Sequence, residues 1–438
     1  MLNKKGYIMS KRIVIVGGGF AGVNVVKYAC KNRNNQVTLI DKNNYTFFPP
    51  LLYQVATGFL EASNISYPFR KMFQQKPNLH FRMGELLKIL PDENKILVSS
   101  GEIEYDELIL ATGTETNYFG MENVEKNAIP MKTVNDAIEM RNYLLTQMEK
   151  ATVTKDPDIL KRRLTMVVAG GGPTGVEVSG MLAEMRLSVV RRDYPELRGL
   201  GIRGHIYLLD GGNQLLTPMS KKSQQDTYNA LSKQGVEIIL NARVTNYEDN
   251  KVHLSNGTII ESENLIWAAG VTSRVFEGLP AACYGRGRRL ITDAYNKLTG
   301  FDNIYAVGDT CIQTTDNDFP DGHPQVAQVA LQQGKNLAKN LYRKDRNLPM
   351  EPFKYRDKGS MAIIGRNKAV ADIPPRLHFK GFIAWFVWVF IHLMSLVTYR
   401  NRVTTFYNWM IAYFTRDQSL RMIIRPSRKS DTGTSKSI

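Results

Sequence analysis

The sequence predicts an α/β protein with two Rossmann-like dinucleotide-binding domains, followed by a C-terminal helical segment that associates with a membrane. Two observations predict the domains: the glycine spacing G-x-G-x-x-G occurs twice, each time between an apolar strand and a helix, and each half then contains a similar β-meander. A third predicts the segment, because the last 63 residues combine apolar aromatic runs with basic residues.

The first glycine motif lies in RIVIVGGGFAGV, residues 12–23. The first glycine of such a motif allows a tight turn, the second lets the main chain approach a pyrophosphate, and the third lets the helix pack against the strand. The next strand, QVTLID, ends in an acid placed to bind a ribose hydroxyl. The predicted cofactor-binding residues here are Gly17, Gly19, Phe20, Ala21, Gly22 and Asp41.

The second motif, MVVAGGGPTGVE at residues 166–177, repeats this pattern. Its acid comes later, after an insertion near RRDYPELRGLGIRG, where HIYLLD ends in Asp210. No arginine directly follows Asp210 to pair with a 2′-phosphate, which favours NADH over NADPH. The predicted nucleotide-binding residues here are Gly170, Gly172, Pro173, Thr174, Gly175 and Asp210.

The two halves also match further along the chain. VSSGEIEYDELILATG (98–113) and HLSNGTIIESENLIWAAG (253–270) each predict a β-meander followed by an apolar strand that ends in A-x-G. The chain is predicted to return to the first half only, through FDNIYAVGD (301–309). The acid of this segment is placed to hold a cofactor's ribityl chain. These strand ends add Ala111, Thr112, Gly113, Gly308 and Asp309 to the first site and Gly270 to the second.

Composition limits the partners. The net charge is +16, and residues 376–438 carry ten Lys/Arg against two acids, so +8 of it lies there. Zinc spacing and other nucleic-acid signatures are lacking, so we expect an anionic lipid surface as partner, no nucleic acid and no metal. MLNKKGYIMS lacks the features of a signal peptide, so we expect the body of the protein to stay in the cytoplasm. The scattered cysteines, Cys30, Cys283 and Cys311, predict buried structural thiols.

The segment HPQVAQVALQQGKNLAKNL (323–341) predicts a helix that opens at Pro324. Its packing stripe is predicted to contain Ala327, Ala330, Leu331, Gly334 and Leu337. Gln328 and Gln332, four residues apart, share a neighbouring face, where paired amides can donate to a quinone carbonyl. The alternative is a pair of solvated glutamines on a surface helix.

Together these motifs resemble the two-dinucleotide-binding-domain flavoproteins, in which FAD lies in the first domain and NAD(P)H in the second. AQVALQ, NYTFFPPLLYQVATG, GGGPTGVE, DKGSMAIIGR and the aromatic tail are similar to the type II NADH dehydrogenases, which are single-chain NADH:quinone oxidoreductases. The resemblance implies hydride transfer from NADH to non-covalent FAD, then reduction of a membrane quinone in a respiratory chain without proton pumping.

The resemblance also implies roles for individual residues. Gln328 and Gln332 would line the quinone site, Glu177 would lie where nicotinamide and flavin meet, and Lys358 would lie near the quinone channel. Two positions depart from the family pattern: Pro49 replaces a frequent glutamine before PLLYQ, and Asp210 replaces a common glutamate.

The tail predicts a peripheral anchor rather than a span. FIAWFVWVFIHLMSLV (382–397) is about 24 Å long as a helix, and a span needs about 20 residues. The following helix is amphipathic. Its predicted apolar face is Val403, Phe406, Tyr407, Met410, Ile411 and Phe414. Predicted interface aromatics are Trp385, Trp388, Trp409 and Tyr413, and predicted headgroup ligands are Arg400, Arg402, Arg416 and Arg421.

We therefore expect monotopic association with the cytoplasmic side of the inner membrane, and a disordered end, PSRKSDTGTSKSI. The alternative, that the hairpin packs on the body or in a homodimer interface, is compatible with this.

The predicted domains are residues 10–130 and 285–355 for FAD, 131–284 for NADH and 356–438 for the membrane. Alternative functions are a soluble NADH-dependent reductase of a small electron-carrier protein and a FAD- and NADH-binding redox sensor.

Overall fold

The computed structural model describes residues 10–198, 204–375, 377–415 and 420–424. The predicted disordered end and Arg416 lie outside the described residues, as does all of MLNKKGYIMS except Ser10.

Up to residue 130 the strands are β1 Lys11–Val16, β2 Asn35–Asp41, β3 Tyr45–Phe47, β4 Ser66–Pro68, β5 Leu79–Met83, β6 Leu86–Leu90, β7 Lys95–Val98, β8 Gly101–Glu104, β9 Glu107–Leu110, β10 Glu115–Thr116 and β11 Ile129–Pro130. The helices there are α1 Phe20–Ala29, α2 Leu52–Ala56, α3 Ala62–Ile65, α4 Phe69–Met72 and α5 Glu122–Asn127.

The rest of the chain continues this numbering. The strands are β12 Met166–Ala169, β13 Ile206–Leu209, β14 Glu237–Ile239, β15 Val244–Glu248, β16 Lys251–Leu254, β17 Ile259–Glu261, β18 Asn264–Trp267, β19 Val271–Thr272, β20 Leu290–Ile291, β21 Ile304–Ala306, β22 Cys311–Ile312, β23 Ser360–Gly365, β24 Lys368–Ile373 and β25 Leu377–Lys380. The helices are α6 Val134–Thr152, α7 Pro157–Leu164, α8 Pro173–Met185, α9 Arg191–Asp193, α10 Lys221–Lys233, α11 Ala327–Lys344, α12 Gly381–Ser395 and α13 Tyr399–Thr415.

Two five-stranded parallel sheets confirm the two Rossmann-like halves. The first has the order β21-β9-β1-β2-β5 and the second the order β11-β18-β12-β13-β14. The predicted meanders form the antiparallel sheets β6-β7-β8 and β15-β16-β17. Central strands such as β1 are buried because both faces of a parallel sheet are covered. The segment FDNIYAVGD supplies β21 and so completes the first sheet.

Helix α11 packs across α1 on one face of the first sheet. A Cβ at Gly334 would overlap the carbonyl oxygen of Ala21, so glycine is required for the two helices to approach this closely. Two details of the predicted helix are wrong. It begins at Ala327 rather than at Pro324, because Val326 keeps an extended conformation after the proline. Leu331 is exposed, because the face against α1 is occupied by other residues, namely Ala330, Gln333, Gly334, Leu337 and Ala338.

A third, antiparallel sheet, β23-β24-β25, joins the tail to the body. Helix α8 packs against β23 so closely that a Cβ at Gly180 would overlap the carbonyl oxygen of Ile364. The carboxylate of Glu184, on the same helix, accepts a hydrogen bond from the main-chain N–H of Arg366. The second nucleotide half and the tail therefore share one continuous core.

The tail forms a hairpin of α12 and α13. Among the described helices, none has both the length and the apolar character needed to cross a membrane. One side of the hairpin packs on the body through Ala384, Trp388 and Leu396, which are buried. The other side is exposed and includes Phe382, Ile383, Phe386, Phe390, Val403, Phe406, Tyr407, Met410, Ile411 and Phe414. The predicted amphipathic face of α13 is thus exposed, while the hairpin also packs on the body.

Several residues predicted at the membrane interface instead face the protein. Trp388 is 1% exposed and stacks on His392, and Trp409 packs against the main core. Arg421 forms an ion pair of 2.6 Å with Asp193. These residues turn inward because aromatic area and a paired charge are better satisfied against the body. Arg400 is exposed, and its contact with lipid headgroups stays a prediction.

The three cysteines, Cys30, Cys283 and Cys311, are buried and unbridged, as predicted.

Candidate functional site

The two glycine loops have the same geometry. Each first glycine, Gly17 and Gly170, has a positive φ, of 102° and 111° respectively. A Cβ at Gly17 would overlap the carbonyl oxygen of Ala111, and a Cβ at Gly170 would overlap that of Ala268. Only glycine fits a loop that bends this tightly against the neighbouring strand.

The acids at the ends of the second strands close both loops. Asp41 Oδ2 accepts the main-chain N–H of Gly18 at 2.7 Å, and Asp210 Oδ2 accepts that of Gly171 at 2.5 Å. Burial raises the pKa of Asp41, and the N–H groups of Asn43 and Gly18 partly oppose this shift. Each acid lies where a nucleotide ribose is bound in this fold.

The loops fit a dinucleotide. A Cβ at Gly19 or Gly172 would meet nothing within 4 Å, so the main chain there is open to a pyrophosphate. Both glycines immediately precede a helix, whose free N–H groups favour an anion. Phe20, Ala21 and Gly22 form the first turn of α1, and Pro173, Thr174 and Gly175 form that of α8.

The strand ends named ATG and VGD meet at the first site. The hydroxyl oxygens of Thr112 and Thr310 are 3.1 Å apart, and Gly308 donates its N–H to Gln333 Oε1 at 2.7 Å. Gly113 also has a positive φ, of 68°, and open space beside it. Thr310 and Gln333 were not singled out from the sequence, where Gln333 is indistinguishable from its neighbour in a QQ pair.

A half-buried cation near Asp309, Lys132, was also missed. Lys132 Nζ donates to Thr114 Oγ1 at 2.6 Å. Burial lowers the pKa of Lys132, and the charge of Asp309 partly opposes this. Burial raises the pKa of Asp309, and Lys132 and Arg289 oppose that shift. The available signal was the position of Lys132 just after β11, at the carboxyl end of a parallel strand.

Glu177 is buried on α8. Burial raises the pKa of its carboxyl well above the ordinary glutamate range, although a hydrogen bond from the main-chain N–H of Ile363 partly opposes this. The pKa of Tyr53 is raised by burial and then by the nearby Glu177 charge. Gln54 Nε2 donates to the Tyr53 hydroxyl at 2.9 Å. Segment PPLLYQ therefore lies beside Glu177.

The two predicted quinone-site glutamines hold one loop. Gln328 Nε2 donates to the carbonyl of Gly359 at 2.8 Å, and its Oε1 accepts the main-chain N–H of Lys358 at 3.1 Å. Gln332 makes the same pair of bonds to the main chain of Arg356, at 2.9 and 3.1 Å. Gln328 and Lys358 are thereby adjacent, and β23, which carries Ile363 to Glu177, follows directly. Each amide nitrogen keeps a second N–H.

The second meander ends at Gly270, whose carbonyl accepts the main-chain N–H of Asn117 at 3.1 Å. A Cβ there would meet the tip of the exposed Phe119 ring, which would have to shift to admit a larger residue. Within the described part of the chain, no cluster of three or more His, Cys, Asp or Glu is arranged to hold a metal ion.

Comparison with known proteins gives two family matches. Residues 11–334 match the model for pyridine nucleotide-disulphide oxidoreductases, and residues 358–417 match the NDH2 C-terminal domain. The chain is similar to the type II NADH:quinone oxidoreductase NdhA of Mycobacterium tuberculosis, with 35% identity over 92% of this chain and 87% of that protein. It is 30% identical to the internal alternative NAD(P)H-ubiquinone oxidoreductase A1 of Arabidopsis thaliana, over 93% and 88% of the two chains.

The fold is also found in a solved structure, that of NDH2 from Plasmodium falciparum in complex with NADH. The TM-score is 0.85 at 22% identity, over 95% of this chain and 100% of that one. This similarity extends through both nucleotide-binding halves and the tail hairpin.

Proposed function

The chain belongs to the type II NADH:quinone oxidoreductase family, and from that premise we propose which residues carry the reaction and where the enzyme works. It is a flavoenzyme that oxidises NADH and reduces a quinone. The chemistry that FAD supplies when bound is hydride acceptance from NADH and electron delivery to the quinone. The protein's contribution is to bind, orient and supply protons, and no proton-pumping step is proposed.

The matched loops are the observation that carries the assignment of sites. Gly17, Gly19 and Asp41 bind FAD, because β21 and α11 return to this half and add the Gly308–Asp309 turn and Gln333 beside it. Lys132 and Asp309 lie at the same end of this sheet and hold the flavin side of the cofactor. NADH binds the other loop through Gly170, Gly172 and Asp210.

Glu177 is the proton-holding residue. Burial raises the pKa of its carboxyl well above the ordinary glutamate range, which favours the protonated form. Its location on α8, five residues past the open glycine of the second loop and beside PPLLYQ, supports a position between the two nucleotide sites. We assign it the proton that accompanies quinone reduction.

Gln328, Gln332 and Lys358 form the acceptor side. The two glutamines fix the main chain at 356–359 and each keeps one amide N–H for a quinone carbonyl. Lys358 is held by the same contacts and its ammonium is exposed. The group therefore offers a quinone two neutral amide donors and one ammonium. None of its three residues carries a carboxylate that would compete with the quinone for these donors.

A kinetic test separates this function from its rivals. The purified protein should release FAD on denaturation and oxidise NADH rapidly with a short-chain quinone. A redox sensor would bind both nucleotides with negligible turnover, and a reductase of an electron-carrier protein would turn over with the carrier but poorly with quinone. Colourless protein with an intact nucleotide pocket would contradict the proposal.

We further propose that the enzyme associates peripherally, through its tail, with the cytoplasmic side of the inner membrane. The supporting feature is the exposed apolar side of the hairpin, where Phe386 and Phe390 are 59% and 58% exposed one helical turn apart. An exposed apolar patch of this kind is typical of a membrane or protein contact. The basic tail favours an anionic lipid surface over a second copy of the chain.

Point charges test the anchor better than truncation before Gly381, because truncation would also remove Trp388 from the core. The double variant Phe386→Asp/Phe390→Asp should bind anionic vesicles much less than wild type in a sedimentation assay. Val153→Asp, at an exposed apolar residue elsewhere, is the control. Unchanged vesicle binding would refute the lipid assignment, and loss of a dimer in solution would assign this face to a homodimer.

A further inference from the structure

A cavity of about 950 Å³ lies between α6 and the segment that follows α8, away from both glycine loops. This volume is typical of a pocket for a small molecule. One wall is a π-helix at Arg186–Val190, a rare form that often occurs at functional sites. Most of the described lining is apolar and includes Leu144, Leu145, Met148, Leu182 and Met185.

The exception is Arg141, which lines the same cavity and is 8% exposed. Among the described residues its guanidinium makes no hydrogen bond and no ion pair, and its Nε atom is fully buried. Burial lowers the pKa of Arg141, and the charge of Glu61 partly opposes this shift. A buried guanidinium is costly unless it is paired, so this arginine is suited to an anion that enters the cavity.

The rest of the lining has the same sign. The lining residues that the structure describes include three more arginines, Arg186, Arg198 and Arg421, and no aspartate or glutamate. Arg186 donates to the carbonyls of Gln234 and Gly235, and Arg421 is paired with Asp193 behind the cavity wall. Arg186 and Arg421 therefore have partners and Arg198 is exposed to solvent, whereas Arg141 is buried and has no partner among the described residues.

The cavity is also next to the membrane-facing tail. Ile424 exchanges main-chain hydrogen bonds with the side chain of Asn142, the neighbour of Arg141 on α6. Leu187 in the cavity lining is 62% exposed, and Met422, Ile423 and Ile424, which follow the lining residue Arg421 in the chain, are exposed as well. Exposed apolar side chains of this kind favour an amphiphilic ligand over a purely polar one.

We propose that this cavity binds an acyl chain with an anionic head group, with the head on Arg141 and the chain along Leu144, Leu145 and Met148. A guanidinium pairs equally well with a carboxylate and a phosphate, so a fatty acid and a lysophospholipid share the required chemistry. The site is separate from the residues that bind nucleotides and quinone, and it is independent of the function proposed for them.

The test uses the FAD-loaded enzyme and the fluorescent fatty acid cis-parinarate, displaced by oleate, by oleoyl-lysophosphatidate or by uncharged methyl oleate. The exposed apolar side of the hairpin is expected to bind acyl chains non-specifically. The quantity measured is therefore the part of the cis-parinarate fluorescence that saturates and can be displaced. Arg141→Met removes the charge and keeps the length of the side chain. The control is Lys150→Met, an exposed cation on the same helix.

We expect methyl oleate to compete at least roughly tenfold more weakly than the anions, a difference of about 1.4 kcal/mol. Arg141→Met should lose that preference while keeping FAD and the NADH:quinone rate, and Lys150→Met should behave as wild type. Whichever of oleate and lysophosphatidate displaces better identifies the head group. If Arg141→Met loses FAD, a second variant, Leu145→Trp, tests the proposal instead. The larger side chain fills the cavity and should abolish the saturable binding of cis-parinarate. Equal competition by methyl oleate, or equal behaviour of the two charge variants, would overturn the proposal.

Discussion

The indole N–H of Trp409 lies 2.7 Å from Oε1 of Gln54 and joins the second tail helix to the segment beside Glu177. Gln54 in turn donates to the hydroxyl of Tyr53, whose pKa responds to Glu177. Gln54 and Tyr53 are both buried. The tail hairpin is therefore connected to the carboxyl of Glu177 by two consecutive hydrogen bonds and one electrostatic contact.

Trp409→Phe should destabilise the protein by about 1–3 kcal/mol, because Gln54 Oε1 would remain buried without a donor. Urea unfolding followed by flavin release measures this. Trp385→Phe is the matched control, since Trp385 stacks on Phe382 and Tyr413 without an indole hydrogen bond to any described residue. Equal losses of stability in the two variants would show that ring size, and not the hydrogen bond, matters.

Glu177→Gln should stabilise the protein at neutral pH. In the folded protein the pKa of Glu177 is raised above the ordinary glutamate value of about 4.3, which applies to the unfolded chain. The free energy of unfolding of the wild type therefore falls as the pH rises from about 4.3 towards the raised pKa. Glutamine removes this loss, and the difference in Tm between variant and wild type should widen from pH 5 to pH 8. The exposed Glu125→Gln is the control.

The same variant tests the catalytic role of Glu177. Quinone reduction by the wild type should fall as the pH rises through the raised pKa, and Glu177→Gln should lose that limb of the pH profile. If the variant keeps an unchanged profile and rate, Glu177 does not supply the proton.

Asp210→Asn should narrow the preference for NADH over NADPH by roughly tenfold, about 1.4 kcal/mol, because the carboxylate repels a 2′-phosphate. The ratio of kcat/KM for the two nucleotides measures it. Asp41→Asn is the comparison: it should weaken FAD retention and leave that ratio alone. An unchanged ratio in Asp210→Asn would remove this residue from the nucleotide site.

Gln328→Ala or Gln332→Ala should slow quinone reduction by roughly tenfold or more while flavin reduction by NADH in stopped flow stays nearly intact. Asn336→Ala is matched, since this amide lies on the same helix and binds the carbonyl of Glu351 instead. If both half-reactions slow together, the glutamines do not belong to the acceptor side.

His392 should make the hairpin sensitive to acid. Burial against Trp388 lowers the pKa of His392 to about 4, so protonation favours the unfolded state as the pH falls from about 6.5. His392→Phe keeps an aromatic ring without a titrating group and should lose less stability between pH 7 and pH 5. The control His80→Phe, at an exposed position, should lose as much stability as the wild type between pH 7 and pH 5. The same loss in both variants would show that His392 is not the source of the acid sensitivity.

The nucleotide loops could be predicted from the sequence because their glycines and acids act within one β-α-β unit. Gly17 and Asp41 are fixed by local turns and one neighbouring strand, so spacing is sufficient. Lys132 and Gln333 could not be identified in this way, because their roles depend on contacts with turns far away in the chain.

The tail gave a mixed result for the same reason. Periodicity identified the exposed face of α13, but it does not state which aromatic residues turn inward. Trp388 and Trp409 were predicted at the membrane and instead complete the core, because β24 and α2 are present to receive them. Similarly, the packing face of α11 is set by α1, which left Leu331 exposed.

The return of β21 to the first sheet has a consequence for synthesis on the ribosome. Strand β9 pairs with β1 on one edge and with β21 on the other. Residues 111–303 separate β9 from β21 in the chain. At 5–20 residues per second, β9 has an unpaired edge for about 10–40 s, long enough for wrong pairing or chaperone binding. The second sheet is complete within that interval, so the nascent chain can acquire a folded nicotinamide half before it is able to retain its flavin.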